Sequence, residues 1–440
     1  MSAAFDAALL PRLREAIART ETRPRRGRLR RVLGPVLEAD LGGVRVGELC
    51  RVQEPGGPAI AAEVVGVTAT GAVLAPIGTV EGLSARALVV PSGRPLSVPG
   101  GAALLGRVLD GLGRPLDGKP LAPGTPRVPV TGAAPPPLTR TPLAAALPLG
   151  LRVLDGLLTC AEGQRVGIFG PAGAGKSSLV ARILRGASAD AFVVALVGER
   201  GREVREFIER GLDDPARART VVVVATSDRP ALERMKAAEV ATAIAETLRD
   251  EGRRTVLLVD SVTRLARAWR EIGLAAGEPA VRRGFPPSVF ARLPALLERA
   301  GPAAKGSITA FYTVLLEGEM EADPVAEEVK SVLDGHVVLC PKLAATDHHP
   351  AVDVLASRSR VMEAVTTPAH REAASRFRRL LARHAEVELL VRVGEYREGS
   401  DKLADEAIRR RGAMEEFLRQ PDAAPVPFPA TVQKLTAVLA

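Results

Sequence analysis

The sequence predicts an α/β protein in three parts: a small N-terminal β-barrel, a core with a mainly parallel sheet, and a C-terminal helical domain. Three observations carry this. Residues 27–95 alternate short Val, Leu and Ile runs with Gly, Pro and Ser punctuation, as in "GELCRVQEPGGPAIAAEVVGVTATGAVLAPIG", the pattern of short antiparallel strands joined by turns. Farther on, unbroken apolar runs alternate with helical patterns, which is how strands covered on both faces of a parallel sheet read. Beyond about residue 365 the strand-like runs stop and amphipathic patterns such as "REAASRFRRLLARH" take over.

Taken in order, residues 1–26 form a basic arm. Residues 1–31 hold nine arginines against Asp6, Glu15 and Glu21, and Leu9, Leu13 and Ile17 recur at four-residue spacing, an apolar stripe with arginines beside it. That stripe suits either docking on a membrane surface or an ordinary solvated helix. The barrel occupies residues 27–95 and the core residues 96–364. Within the core, the Pro- and Gly-rich residues 120–137 show no period and read as an ordered connection or linker. Strands are expected at "RVGIF" (165), "FVVALV" (192), "TVVVVAT" (220), "TVLLVD" (255) and "SITAFYTV" (307). Residues 365–440 complete the chain as the helical domain. The length of 440 residues with 46% hydrophobic content supports two or three domains with full cores. No run approaches the roughly 18 apolar residues of a membrane span, and the N-terminus lacks the apolar segment of a secretory signal. The expected location is therefore the cytoplasm. Cys50, Cys160 and Cys340 are too scattered for a zinc site or a disulfide framework and are expected to be buried thiols.

The chemistry concentrates after "RVGIF". There "GPAGAGKSS" covers Gly170, Pro171, Ala172, Gly173, Ala174, Gly175, Lys176, Ser177 and Ser178 and fits G-x-x-x-x-G-K-[ST] between a strand and the helical "LVARILRG". Glycines let consecutive N–H groups turn toward phosphate oxygens at a helix N-terminus; Lys176 neutralises the β and γ phosphates, and the Ser177 hydroxyl ligates Mg²⁺. Asp260, closing "TVLLVD", has the form of the metal-side carboxylate. Glu199, just past the second core strand in "ALVGERGREVREF", sits where it can polarise an attacking water. Glu203 is its rival, but a helix starting near Gly201 makes Glu203 a surface partner of Arg202 or Arg205. Two further arginines, Arg358 and Arg360, stand in "LASRSRVM" with no local carboxylate partner.

With these residues in view the chain resembles the type III secretion ATPases, relatives of the catalytic subunit of rotary ATP synthases. The likeness spans about residues 24–420 and rests on long motifs in fixed order: "GRVLDGLGRPLDG" at 106, the phosphate loop, "ALVGERGREVREFIE" at 195, "ATSDRPALERMKAA" at 225, "DSVTRLARAWREIGLAAGEP" at 260, "GFPPSVFARLPALLERAG" at 284, "GSITAFYTVLLEG" at 306 and "LDGHVVL" at 333. Details such as "ELLVRVGEY" look more like the virulence injectisome branch than the flagellar export branch. The resemblance implies a RecA-like P-loop core, ATP and Mg²⁺ as cofactors, and a homohexamer whose barrel forms a ring and whose helical domain faces chaperone–effector cargo. It further implies stator, central-stalk and export-gate partners at the inner face of the cytoplasmic membrane. It puts Arg200 and Arg264 near the phosphates and makes Arg360, in "S-x-S-R", an arginine finger for the neighbouring subunit. Arg358 stands where the family has an apolar residue. His349, in "HPAVD", stands where a tyrosine packs on the adenine; it either stacks over a smaller area or merely fills the gap. His348 beside it has no further His or Cys at ligand spacing.

Two other classes compete. A Rho-like hexameric nucleic-acid translocase shares the core and also has a barrel, but residues 27–95 contain no Phe, Tyr or Trp on which single-strand bases could stack. A non-catalytic subunit of a rotary ATPase would carry a non-acidic residue in place of Glu199. Of the 60 basic residues 52 are arginine, and the net charge of +9 owes much to the N-terminal arm, so no specific nucleic-acid surface is expected.

Overall fold

The structure is a computed structural model and describes residues 14, 25–318, 320–420 and 424–440. Apart from Arg14, Arg25 and Arg26, the predicted basic arm lies outside the described residues. The chain forms two compact units, Met1–Pro95 and Leu96–Ala440.

The first unit is a closed six-stranded barrel. Its strands are β1 (Gly27–Val32), β2 (Leu37–Asp40), β3 (Glu48–Gln53), β4 (Ala59–Thr68), β5 (Gly71–Ile77) and β6 (Leu88–Pro95), arranged β1-β2-β5-β4-β3-β6 with antiparallel neighbours. Alternation drives closure: Cys50 and Val52 point inward from β3 while Arg51 is exposed, and Leu37, Val64, Leu74 and Val89 fill the interior. Closure leaves no unpaired edge to aggregate. One contact depends on glycine: a Cβ on Gly71 would lie 2.1 Å from the Ala39 carbonyl oxygen.

In the second unit, β7 (Ser97–Pro99), β8 (Val108–Asp110) and β9 (Arg127–Pro129) come first, and β9 pairs antiparallel with β7. That pairing anchors the Pro- and Gly-rich passage. The main sheet adds β10 (Arg165–Gly170), β11 (Ala191–Val197), β12 (Thr220–Ala225), β13 (Arg254–Asp260), β14 (Gly301–Pro302), β15 (Ser307–Leu315), β16 (Gly335–Leu339) and β17 (Val352–Ser359). Its order is β17-β16-β10-β15-β13-β11-β12-β8; β17 is antiparallel to β16, β14 is antiparallel to β15, and the other neighbours are parallel. Every residue of β11 and β12 is buried. This two-sided burial is why their apolar runs lack a period of two.

The helices Pro368–Val393, Lys402–Leu418 and Phe428–Leu439 follow the sheet. Gly394, in the left-handed region at φ 77°, ends the first, and the Asp401 carboxylate caps the second by accepting from Leu403 and Ala404 N–H. Their apolar faces share one core with the sheet: Phe377, Phe417 and Leu435 pack with Leu154, Leu157 and Ile183. The Phe377 and Phe417 rings lie 5.4 Å apart, tilted. Phe377→Ala removes a fully buried ring from that junction, and we expect a loss of about 3–5 kcal/mol in chemical denaturation. A loss below 1 kcal/mol would mean the helices are not held through this core. Cys50 and Cys160 are buried as expected, but Cys340 is only half-buried. It follows the last residue of β16 and caps a short surface helix, Pro341–Ala345.

Candidate active site

Because β10, β15, β13 and β11 run parallel, their carboxyl ends converge on one edge, where ligands of such sheets bind. The chain leaves β10 at Gly170, crosses a five-residue loop and enters the helix Lys176–Gly186. Gly173 and Gly175 hold φ of 78° and 88°, and no atom lies within 4 Å of where their Cβ atoms would stand. The loop is therefore both conformationally dependent on glycine and open above its backbone, a cradle for an anion at a helix N-terminus. Ser177 and Ser178 are exposed on the first turn, whereas Lys176 is 8% exposed. Its ammonium donates to the carbonyls of Gly170 (2.7 Å) and Pro171 (2.6 Å). Burial pulls its pKa down to about 8, against the opposing pull of Asp260 and Glu199.

Two carboxylates face this loop. Asp260, at the end of β13 and beside Leu196 of β11, accepts a 2.5 Å hydrogen bond from the Thr313 hydroxyl. Burial holds it above the usual carboxylate range, opposed by Thr313 and Lys176. Glu199 lies two residues beyond β11, and its carboxylate meets the Arg264 guanidinium at 3.1 Å. Burial, then the charge of Asp260, then a hydrogen bond with Glu203 push Glu199 up to about 8. A cleft of about 380 Å³ joins these groups, lined by Ser177, Ser178, Glu199, Glu203 and Asp260, with Phe207 on its wall. The cleft and the loop beside it thus combine an anion cradle, a buried ammonium, a hydroxyl beside a buried carboxylate, and a carboxyl group of near-neutral pKa, the parts that phosphoryl transfer to water needs.

Comparison with known proteins accords with that chemistry. Residues 150–359 match the ATP synthase alpha/beta family, nucleotide-binding domain, and residues 366–437 match the T3SS EscN ATPase C-terminal domain. The type 3 secretion system ATPase of Sinorhizobium fredii is 56% identical, over 94% of this chain and 92% of its own. The chain belongs to the type III secretion system ATPases. The assembled ATPase EscN of enteropathogenic E. coli superposes with a TM-score of 0.90 at 47% identity, covering 94% of this chain and 100% of EscN. EscN in complex with its central stalk EscO gives 0.86 at 46% identity, with the same coverage. This protein is accordingly an ATPase of a type III secretion system, with the nucleotide-binding domain of the ATP synthase family.

Not every predicted residue of this secretion ATPase lies in the cleft. Gly170 to Ser178, Glu199 and Asp260 come together. Arg264, expected near the phosphates, spends its guanidinium on Glu199 and on the carbonyl oxygen of Gly198. Arg200 is largely exposed and meets Glu203 at 3.6 Å. Glu203 is not the surface partner of Arg202 or Arg205: it lines the cleft and bonds Glu199, while Arg205 pairs with Glu209. His349 lies between β16 and β17 on the phosphate-loop edge, half exposed, with Nε2 3.4 Å from Asp347. Its carbonyl accepts from Gln420, whose own carbonyl accepts from Arg182 of the helix Lys176–Gly186. His348 is buried and faces Arg419 at 3.5 Å.

Arg360 is at the other end of the sheet. β17 runs antiparallel, so Ser359 pairs with Gly335 at the start of β16, and the Arg360 amide donates to Asp334 at 2.9 Å. Val166, near the start of β10, shares that level. The five residue steps from Arg165 to Gly170 put about 16 Å of strand between the two edges, beyond the reach of an arginine side chain. Arg358 is exposed on β17, and its side chain has no hydrogen bond or ion pair among the described residues. Sequence reasoning missed the Gln420–Arg182 tie and the π-helical turn Phe207–Gly211, whose Phe207, Arg210 and Gly211 line the cleft. A polar residue at a helix end and a Gly after a charged turn gave no signal of either.

Proposed function

We propose that this ATPase hydrolyses Mg²⁺-ATP at sites shared between subunits of a homohexamer, and that turnover strips chaperones from export cargo and unfolds it. One observation carries the shared-site reading: Glu199 and Lys176 share one sheet edge, while the unpaired Arg360 projects from the opposite edge. A residue so placed is out of reach of its own cleft and free to enter a neighbour's. ATP's phosphates would lie on the Gly170–Ser178 loop, with Lys176 exchanging its bonds to Gly170 and Pro171 for β and γ oxygens. The open backbone above Gly173 and Gly175, the exposed Ser177 hydroxyl and the nearby Asp260 suit Mg²⁺, held by Ser177 on the phosphate side and Asp260 beyond. When bound, the ion supplies neutralisation of charge on the phosphates. Glu199 takes the proton of the attacking water, Arg264 fixing its orientation, and a pKa near neutrality matches that task. His349 offers a small stacking face to the base. The assembled EscN and its central-stalk complex support self-association and a stalk partner; a stator, export-gate contacts and docking at the membrane's inner face extend the same reading.

Activity per protomer should therefore rise with protein concentration, since the site is complete only in the assembly. Flat specific activity over a wide dilution series, with sedimentation showing monomers, would contradict shared sites. Turnover should not depend on RNA near physiological ionic strength, where weak charge-driven binding is screened.

The carboxyl pair sets a pH signature. Glu199 is competent only when ionised, so kcat/KM should climb with pH along a limb that ends near its raised pKa of about 8. Glu203 contributes to raising it. Glu203→Gln removes that contribution, and the limb should move to lower pH. A limb unmoved, or displaced upward, would show that Glu203 does not act on Glu199.

A further inference from the structure

Arg360 would act through a side chain that the fold leaves almost untethered. That side chain is exposed, and its sole hydrogen bond among the described residues is a 3.5 Å contact to the Lys330 carbonyl. Its position is set instead by the main chain, whose amide is held by the Asp334 carbonyl at 2.9 Å. Asp334 is in turn clamped to the foot of β10. Its carboxylate accepts three N–H groups of Arg165: the backbone amide (3.1 Å), Nε (3.0 Å) and Nη2 (3.1 Å), and its own amide donates to the Arg165 carbonyl at 3.0 Å.

The clamp is itself braced. The free edge of the Arg165 guanidinium pairs with Glu298, which pairs with Arg140 at 3.1 Å. Gln164 donates to the Asp334 carbonyl at 3.2 Å and to the Ser359 hydroxyl at 3.4 Å, and that hydroxyl donates to Thr159 at 2.9 Å. Arg165 is 12% and Asp334 24% exposed, so this fork is shielded from the screening that makes surface pairs weak. Since β10 ends in the phosphate loop, one strand carries the nucleotide cradle at its top and the root of the neighbour-directed arginine at its foot.

We propose that Asp334, clamped by Arg165, is a positioning residue for Arg360, fixing where that arginine enters the adjacent subunit's cleft. The proposal rests on the shared-site reading above. Its consequence is specific: the Asp334–Arg165 pair serves the neighbour's chemistry, although it sits on the strand that carries its own subunit's phosphate loop.

The test uses full-length Asp334→Asn, which keeps the side-chain shape and drops the charge, and Arg165→Gln, which breaks the same pair from the other side. Each should assemble with nucleotide in sedimentation and bind a fluorescent ATP analogue within about two-fold of the parent, while kcat falls by about 10²-fold, the scale of a 1 Å misplacement. Mixed assemblies then separate positioning from local damage. Asp334→Asn mixed with Lys176→Ala should regain activity, because an intact phosphate loop meets an intact arginine; mixed with Arg360→Ala it should stay inactive, because every arginine is then absent or misplaced. A defect in the variant's own cleft gives the reverse pattern, and that result overturns the proposal. Near-parental kcat in both variants overturns it too, as does failure of both to assemble, which would make the pair a fold element only. If Arg360→Ala and Lys176→Ala fail to complement each other, the shared-site reading itself falls, an outcome distinct from all of these.

Discussion

Glu199→Gln and Lys176→Ala should each abolish steady-state ATP hydrolysis, yet they should differ in what they bind. The lysine places its ammonium inside the loop: 8% exposed, it touches the Gly170 and Pro171 carbonyls and lies within the field of Asp260 and Glu199. Removing it leaves the phosphates facing Asp260 and Glu199 without the ammonium between them, and Arg264 is already engaged by Glu199, so affinity and turnover should fall together. Gln at position 199 keeps the size of the side chain and an oxygen for Arg264, and it also removes the negative charge that the γ-phosphate meets whenever Glu199 is ionised. Binding should hold or tighten while the group that accepts the proton is gone. A lost general base costs about 10²–10⁴ in rate, enough to leave nucleotide trapped. Equilibrium binding of a fluorescent ATP analogue, measured beside phosphate release, separates the two variants. Near-normal phosphate release from Glu199→Gln, with loss in Glu203→Gln, would transfer the base to Glu203, which lines the same cleft.

Much of this arrangement was legible in the chain because it is local. The phosphate loop carries its strand, glycines, lysine and helix within some twenty consecutive residues, and β11, β12 and β13 announce themselves as unbroken apolar runs because they are buried on both faces. Glu199 and Asp260 could be placed because strand-end carboxylates of a parallel sheet must share one edge. What failed was pairing across the fold. Glu203 is exposed on a helix, as its sequence suggests, but its partners are Arg200 and Glu199 rather than Arg202 or Arg205, and nothing in "GERGREVREF" specifies them. Arg264 does stand beside the cleft, within the field of Lys176 and Asp260, but its pairing with Glu199, 65 residues upstream, and with the Gly198 carbonyl is not legible locally. The Arg165–Asp334 clamp joins residues 169 apart and exists only because β16 neighbours β10, a strand order that no local pattern encodes. Cys340 looked like another buried thiol, but it caps a short surface helix, and no hydrophobic period around "VVLCPKLA" separates those two environments.

Arg360→Ala should destroy hydrolysis while leaving nucleotide binding nearly intact. The reason is topological before it is chemical. In its own subunit Arg360 roots at Asp334, on the foot of the sheet, about 16 Å of strand from the Gly170 loop, so its deletion leaves that subunit's cradle, Lys176 and Glu199 untouched. Under the shared-site proposal, what disappears is a cation that the neighbouring cleft would meet as charge develops on the transferring phosphoryl group, a contribution of about 10³–10⁵ in rate for fingers of this kind. Arg358→Ala should change turnover only slightly. That side chain projects from β17 opposite His336 and has no hydrogen bond or ion pair among the described residues, so its loss removes neither an anchor nor a group aimed at phosphate. The decisive measurement mixes Arg360→Ala protomers with Lys176→Ala protomers, each inactive alone. Where the two alternate, the intact loop of the first faces the intact arginine of the second, and part of the ATPase activity should return in proportion to mixed assembly. If the assemblies are shown to contain both protomers and no activity returns, Arg360 does not act in a neighbour's site, and its exposure at the foot of the sheet needs another explanation.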